Sequence, residues 1–334
     1  MLQPPYATEL KPYGEKLLDL GRRRSDVVCL SGDLTRQCEV DLFRDELPDR
    51  FIHGAMAEAN MVGVAAALAR TGLIPFVHSF GVFTTRRPYD QIVNAVAYPA
   101  LPVRLIGFMP GVSSPGGPSH QAIDDVGLMR GLPNMTVVDL ADATETRQVV
   151  DAIVDVPGPV YLRLKRGEIP RIFGDGHAFS LTSAQQLSDG NDVALFASGM
   201  MLAAALATER ILREHDVGVT VVYVPVIKPL DTSTVLRVAE HCGAVVSAEN
   251  HLVTGGLGSA IAEVLAEAGA SRRLHRVGLR DTFAEGAATT AYLFERHGLS
   301  TQHLIEVAWA AAGRTTPPPR AVAVHATEGE YAPV

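Results

Sequence analysis

The stretch Phe51-Ile-His53-Gly-Ala-Met-Ala-Glu58-Ala-Asn60-Met61-Val-Gly-Val-Ala-Ala-Ala-Leu-Ala69-Arg-Thr71-Gly-Leu-Ile74-Pro-Phe-Val77 contains a complete strand–helix–strand unit. Two short apolar runs, 51–53 and 74–77, flank a small-residue apolar helix predicted over 58–71. Neither run alternates apolar with polar residues, the pattern of strands buried on both faces of a parallel sheet. The same alternation repeats outward. Further strands are expected at 27–30, 103–108, 136–140 and 160–164, and helices at 86–97, 121–131 and 144–154.

From 171 to 190 the pattern breaks into a stretch rich in Gly, Ser and Asp, which reads as a linker. Alternation then resumes, with strands at 193–197, 219–224, 244–248 and 275–278. Helices are expected at 200–215, 232–241, 256–268, 287–297 and 301–312. The residues after 313 include three consecutive prolines and read as a loose or draped tail. The expectation is therefore α/β: two three-layer α/β/α domains with mostly parallel sheets, at 1–170 and 191–313, joined by the linker 171–190 and followed by the tail 314–334.

Composition narrows the function. The 334 residues are 47% hydrophobic and 20% charged, enough for a sizeable core, and the net charge is −8. No basic cluster exceeds Arg22-Arg23-Arg24, which argues against nucleic acid as a partner. The most apolar stretch, 193–207, is too short for a bilayer and is interrupted by Ser198 and Gly199, so no membrane span is expected. Three cysteines without a CxxC pair, and an N-terminus without a charged region followed by an apolar run, fit a reducing, cytoplasmic setting.

Three segments stand out as candidate sites. Glu58 opens its helix, where a carboxylate offsets the helix dipole by about 0.3–1 kcal/mol, or hydrogen-bonds a ligand at the sheet edge. Phe80 and Phe83 follow a strand end, where a ring is either core or a stacking surface. The loop Pro110-Gly-Val-Ser-Ser-Pro-Gly-Gly-Pro-Ser119-His120-Gln121 concentrates turn formers before a histidine, a candidate acid/base or hydroxyl contact. Other matches are weak. Gly174-Asp175-Gly176 reads as a turn, because the Asn pair of a Mg–diphosphate motif is missing. Gly255-Gly256-Leu257-Gly258 lacks GxGxxG spacing and reads as tight helix–strand packing. His53, His78, His241 and His251 have no metal-ligand spacing, and no metal ligand is assigned in this chain.

Taken in order, these pieces resemble the C-terminal half of transketolase. The resemblance runs through Ser31-Gly32-Asp33-Leu34-Thr35, 51–60, 76–91, Gly117-Pro-Ser-His-Gln121, Leu128-Met-Arg-Gly-Leu-Pro-Asn134 and Lys165-Arg166-Gly167. It continues through 192–201 and 247–259, and spans roughly residues 10–313. It implies a pyrimidine-binding domain followed by a transketolase C-terminal domain, as in the separate C-terminal subunit of a split transketolase. The implied cofactors are thiamine diphosphate and Mg²⁺, with diphosphate and metal held mainly by an N-terminal partner subunit. The implied assembly is an α2β2 heterotetramer that self-associates through the C-terminal domains.

Roles carry over residue by residue as implications of the resemblance. Glu58 matches the glutamate that contacts the pyrimidine N1′, and Phe83 the ring that stacks on it. Phe80 lines the same pocket, and Asp33 matches an aspartate near the cofactor. His120 matches a donor-hydroxyl contact with a catalytic role, beside Ser119, and Arg166 a substrate-phosphate contact. The sequence departs from the family pattern at Gly116, Phe108, Gln37 and Glu15, so the cofactor half of the site is kept while the substrate half is changed. Each lost charge-assisted contact is worth about 1.5–3 kcal/mol.

The expected activity is transfer of a two-carbon ketol unit from a ketose donor, a sugar or sugar phosphate, to an aldehyde acceptor with altered specificity. The alternatives are a thiamine-dependent component, like the β chain of a 2-oxo acid dehydrogenase, that delivers an acyl unit to a lipoyl or carrier thiol, and a non-catalytic scaffold. A nicotinamide dehydrogenase fails for want of a dinucleotide fingerprint after the first strand.

Overall fold

A computed structural model of the protein describes residues 6–287 and 289–321. In chain order the strands are β1 (Thr8–Glu9), β2 (Val27–Ser31), β3 (Phe51–His53), β4 (Ile74–Phe80), β5 (Arg104–Phe108), β6 (Thr136–Asp139), β7 (Val160–Leu164), β8 (Ile169–Pro170), β9 (Gln185–Gln186), β10 (Val193–Ala197), β11 (Val219–Tyr223), β12 (Val226–Lys228), β13 (Ala244–Leu252) and β14 (Leu274–Leu279). Seven form one sheet in the order β12-β6-β7-β5-β4-β2-β3, and five a second in the order β14-β13-β10-β11-β9. All neighbours in both sheets are parallel except the edge strands β12 and β9. The expected α/β class, with mostly parallel sheets, is what the chain adopts.

The apolar runs explain the layering. Alternate residues of one strand face opposite sides of the sheet. In β2, Val27 and Cys29 enter one core with Phe76, while Val28 and Leu30 enter the other with Val77. Helices Pro12–Arg23 and Ala143–Val154 supply Tyr13, Leu17, Leu20, Val149, Val150 and Ile153 to the first core. Helix Glu58–Arg70 supplies Met61, Val62 and Ala65 to the second. Each fully buried aliphatic side chain contributes about 1.5–3 kcal/mol, so both faces must be covered for the sheet to hold.

Several elements differ from the sequence expectation. The helix expected at 86–97 is broken: a turn of helix at Gly81–Thr85 precedes Pro88, and Tyr89–Gln91 leads into a π-helical stretch, Ile92–Ala97. Pro88 has no N–H to continue a helix through it. The helix expected from 121 starts only at Asp125. Gln121 is extended there, and Ala122 bridges back to Pro110 and Gly111. β13 runs four residues past its expected end.

β12 is unexpected. It lies between elements of the second sheet but pairs antiparallel with β6 of the first, Val226 opposite Val138. Lys228 Nζ donates to the Arg130 carbonyl at 2.9 Å. Residues 171–190 are anchored rather than free. The Asp142 carboxylate accepts the Ile172 and Phe173 N–H groups, and His177 stacks on Phe173 at 3.9 Å. Of the expected tail, residues 314–321 drape over helix Thr301–Ala311, with Trp309 Nε1 donating to the Thr316 carbonyl; the rest lies outside the described residues. No helix among the described residues is long and apolar enough to cross a membrane.

Candidate functional site

Parallel pairing places the C-terminal ends of β7, β5, β4, β2 and β3 side by side along one sheet edge, in that order. In open α/β sheets this edge is where ligands bind. Each singled-out residue follows one of these ends: Asp33 after β2, Glu58 after β3, Phe80 and Phe83 at and after β4, His120 after β5 and Arg166 after β7.

Four of these residues form a continuous chain of contacts that passes through Arg87 and ends on Ser119. Glu58 is 5% exposed at the start of its helix. Arg87 Nη1 donates to Glu58 Oε1 at 2.8 Å, and the Arg87 guanidinium lies over the Phe83 ring, 4.0 Å from its centroid. Phe80 lies near-parallel to Phe83, centroids 6.2 Å apart and planes 19° apart. His120 meets Phe83 edge-on at 5.2 Å, and its Nδ1 is 2.9 Å from Ser119 Oγ. Arg87 was not singled out in the sequence, where its only signal is its place after the phenylalanine pair in Phe83-Thr-Thr-Arg-Arg87-Pro88.

Asp33 and Arg166 share the sheet edge but meet at a different group. Both lie within electrostatic reach of the buried Cys38 thiol. Burial pushes that thiol well up, and Arg166 opposes the shift. Next in the chain, Glu39 sits at φ 62° and accepts the Gly14 N–H at 3.0 Å, tying this loop to the start of helix Pro12–Arg23. Burial pushes the Glu39 carboxyl up to about 7.

The loop that carries His120 is fixed from the second half of the chain, by β13 and the residues that follow β14. Asn250 Oδ1 accepts the Val112 N–H and Asn250 Nδ2 donates to the Pro110 carbonyl, both at 3.0 Å. Thr290 Oγ1 donates to the Ser113 carbonyl, and the Ala287 N–H to the Pro115 carbonyl. The buried Gln121 Nε2 bridges the Ser114 and Glu285 carbonyls. A Cβ on Gly116 would stand 3.0 Å from the His120 Cβ, so any side chain there presses on the histidine.

The departures have structural counterparts. Phe108 is fully buried, edge-on to Tyr13 at 5.7 Å, and belongs to the core. Glu15 pairs with Arg147 at 3.1 Å on the surface. Gly174 accepts the His177 N–H in a turn, and Asp175 pairs with Arg171. The glycines at 255–258 pack a helix onto β13: Glu249 accepts the Leu257 and Gly258 N–H groups, and a Cβ on Gly256 would strike the Glu249 carboxylate. His78 is buried with its Nε2 2.7 Å from the Tyr13 hydroxyl. No group of three or more His, Cys, Asp or Glu among the described residues is arranged to hold a metal ion.

Comparison with known proteins gives consistent matches. Residues 10–171 match the transketolase pyrimidine binding domain and 182–304 the transketolase C-terminal domain. A 6-deoxy-6-sulfo-D-fructose transketolase subunit from Clostridium sp. (strain MSTE9) is 41% identical over 297 residues, 89% of this chain and 92% of that one. An apulose-4-phosphate transketolase subunit from Actinobacillus succinogenes (strain ATCC 55618 / DSM 22257 / CCUG 43843 / 130Z) is 32% identical over 295 residues, 88% and 95% of the two chains. A solved structure described as a split gene transketolase, inactive beta4 tetramer, superposes with a TM-score of 0.84 at 37% identity, covering 93% of this chain and all of that one.

Proposed function

The chain belongs to the transketolase family, and we propose that it is the C-terminal subunit of a two-chain, thiamine-diphosphate-dependent transketolase. The observation that carries this reading is the buried Glu58 carboxylate, joined to the face of Phe83 at the ligand-binding edge of a parallel sheet. A buried carboxylate needs a hydrogen-bonding partner, and an aromatic face needs a flat one. An aminopyrimidine supplies both. The near-complete coverage of relatives that are themselves called subunits supports a separate partner chain.

In this reading residues 1–170 form the pyrimidine domain, 171–190 the linker and 191–313 the C-terminal domain. Glu58 binds the pyrimidine N1′ and holds the proton there, Phe83 stacks on the ring, and Phe80 and Asp33 complete the pocket. Thiamine diphosphate, when bound, supplies the carbanion-stabilising thiazolium that carries the two-carbon unit. His120, oriented by Ser119, meets a donor hydroxyl and moves its proton, and Arg166 holds an anionic group of the sugar or sugar-phosphate substrate. Mg²⁺ and the diphosphate are held mainly by the N-terminal subunit, in a cytoplasmic α2β2 assembly that self-associates through the C-terminal domains.

The test is to co-purify the chain with its candidate N-terminal subunit, then titrate thiamine diphosphate and Mg²⁺ by calorimetry. Binding by the mixed complex, with little by the isolated chain, is expected. Tight stoichiometric binding by the isolated chain would sink the two-chain reading. No binding by either would move the protein to a scaffold role.

A further inference from the structure

We infer that Arg87 is an internal competitor for the aminopyrimidine, holding Glu58 and covering Phe83 until the ligand displaces it. The inference rests on the proposed function, in which those two side chains receive the ring, and extends it to a residue with no assigned role.

Three observations carry it. First, one guanidinium meets both groups: Arg87 Nη1 is 2.8 Å from Glu58 Oε1, and Cζ is 4.0 Å from the Phe83 centroid. A planar donor above an aromatic face, bonded to a carboxylate at its rim, offers the same two contacts that an aminopyrimidine needs. Second, the partners differ in freedom. The Glu58 side chain is 6% exposed, whereas Arg87 is 49% exposed. The arginine therefore has solvent to swing into, while the carboxylate stays in place. Third, the rest of the ring's surroundings are occupied: Phe80 lies near-parallel to Phe83, and His120 stands against its edge. A ligand stacking on the face beneath the guanidinium must move it.

The pairing also gives the chain a defined state before assembly. The buried Glu58 carboxylate is satisfied from within the chain, at a site that the proposed function completes from a partner. Cofactor docking then exchanges one pair of contacts for another, and its net affinity is lower than the new contacts alone would give.

The test is the affinity of the assembled two-subunit complex for thiamine diphosphate at saturating Mg²⁺, measured by calorimetry with wild type, Arg87→Met and Arg87→Lys. Methionine keeps the length and removes charge and donors; lysine keeps the charge and loses the planar face. The expected result is a Kd roughly tenfold lower for Arg87→Met, about 1.4 kcal/mol, and an intermediate value for Arg87→Lys. An unchanged or weaker Kd for Arg87→Met overturns the inference, because a competitor cannot be removed without gain. If Arg87→Met does not co-elute with its partner, Arg87→Lys decides on the same criterion with a smaller shift. Equal binding by all three complexes defeats only the role of Arg87. Absence of binding by the wild-type complex defeats the proposed function and this inference together.

Discussion

Asn250 and Val112 belong to different halves of the fold, yet the Val112 N–H donates to Asn250 Oδ1 at 3.0 Å, inside a buried contact. The same side chain donates to the Pro110 carbonyl. The loop leading to His120 is therefore set by the second sheet as much as by the first. Replacing Asn250 with Ala orphans the buried Val112 N–H, at about 1–3 kcal/mol, while the Pro110 carbonyl keeps the Ser113 N–H and hydroxyl. Asn250→Ala is expected to raise KM for the ketose donor several-fold while leaving the cofactor Kd of the assembled complex near wild type. A parallel loss of cofactor affinity would show that the clamp serves the whole sheet edge rather than the His120 loop.

A second link across the halves is a hydrogen bond made by a buried ion cluster of the first half. Arg163, 1% exposed, donates to Asp125 at 2.8 Å and Asp139 at 2.9 Å, and also to the Asn250 carbonyl at 3.0 Å. Removing one partner of a buried cluster leaves uncompensated charge, at about 3–5 kcal/mol. Arg163→Met is expected to lower the unfolding free energy, read from urea denaturation, by that amount. Adding Asp125→Asn and Asp139→Asn is expected to recover part of the loss, because the stranded charges go with them. No recovery would mean that the hydrogen bonds, not the charges, carry the effect.

Glu39 predicts a pH dependence of stability. Burial is the main cause of its raised carboxyl, opposed by the Gly14 and Tyr13 N–H groups and by Lys11, and reinforced by Asp41. The unfolded value is 4.5 and the folded value about 7. The folded state thus binds its proton more tightly, and this contribution is full below pH 4.5 and lost as pH rises through 7. Its size is on the order of 3 kcal/mol, at about 1.4 kcal/mol per tenfold change. The neutral, buried His78, depressed to about 4 by burial, works in the opposite sense over a similar range, losing stability as pH falls. The wild-type profile alone therefore conceals both. Glu39→Gln, compared with wild type by urea denaturation at pH 5 and pH 8, is expected to gain relative stability at the higher pH. A pH-independent difference would remove Glu39 as the titrating group.

The layered fold was legible in the sequence because strands buried on both faces leave unbroken apolar runs, as 27–30 and 193–197 show. The sheet edge then follows from parallel pairing, which brings Glu58, Phe83 and His120 together from separate strand ends. Contacts made only in three dimensions were not legible. Val226–Lys228 is too short a run to announce a strand, and its partner β6 lies some ninety residues away. The Arg87 side chain reads locally as one more charge at the start of an expected helix; only its position over Phe83 gives it a role. Likewise, nothing in the sequence around Asn250 signals that its amide closes a loop of the other half.

Glu58 supplies the last prediction, which also separates an active subunit from a scaffold. Its carboxylate is buried at a helix start, where an uncharged isostere still fills the space. Glu58→Gln keeps the shape and an acceptor oxygen but cannot hold the proton that the proposed contact with a pyrimidine nitrogen requires. General acid–base groups of this kind are worth about 10²–10⁴ in rate. The expected result is a kcat at least about a hundredfold lower in the assembled complex, with co-elution of the two chains unchanged. Loss of co-elution would make Glu58 a folding residue, since its pairing with Arg87 then matters more than its chemistry. Full activity with assembly intact would remove Glu58 from the reaction and revive the scaffold reading, because the buried carboxylate would then serve only its helix and its pair with Arg87.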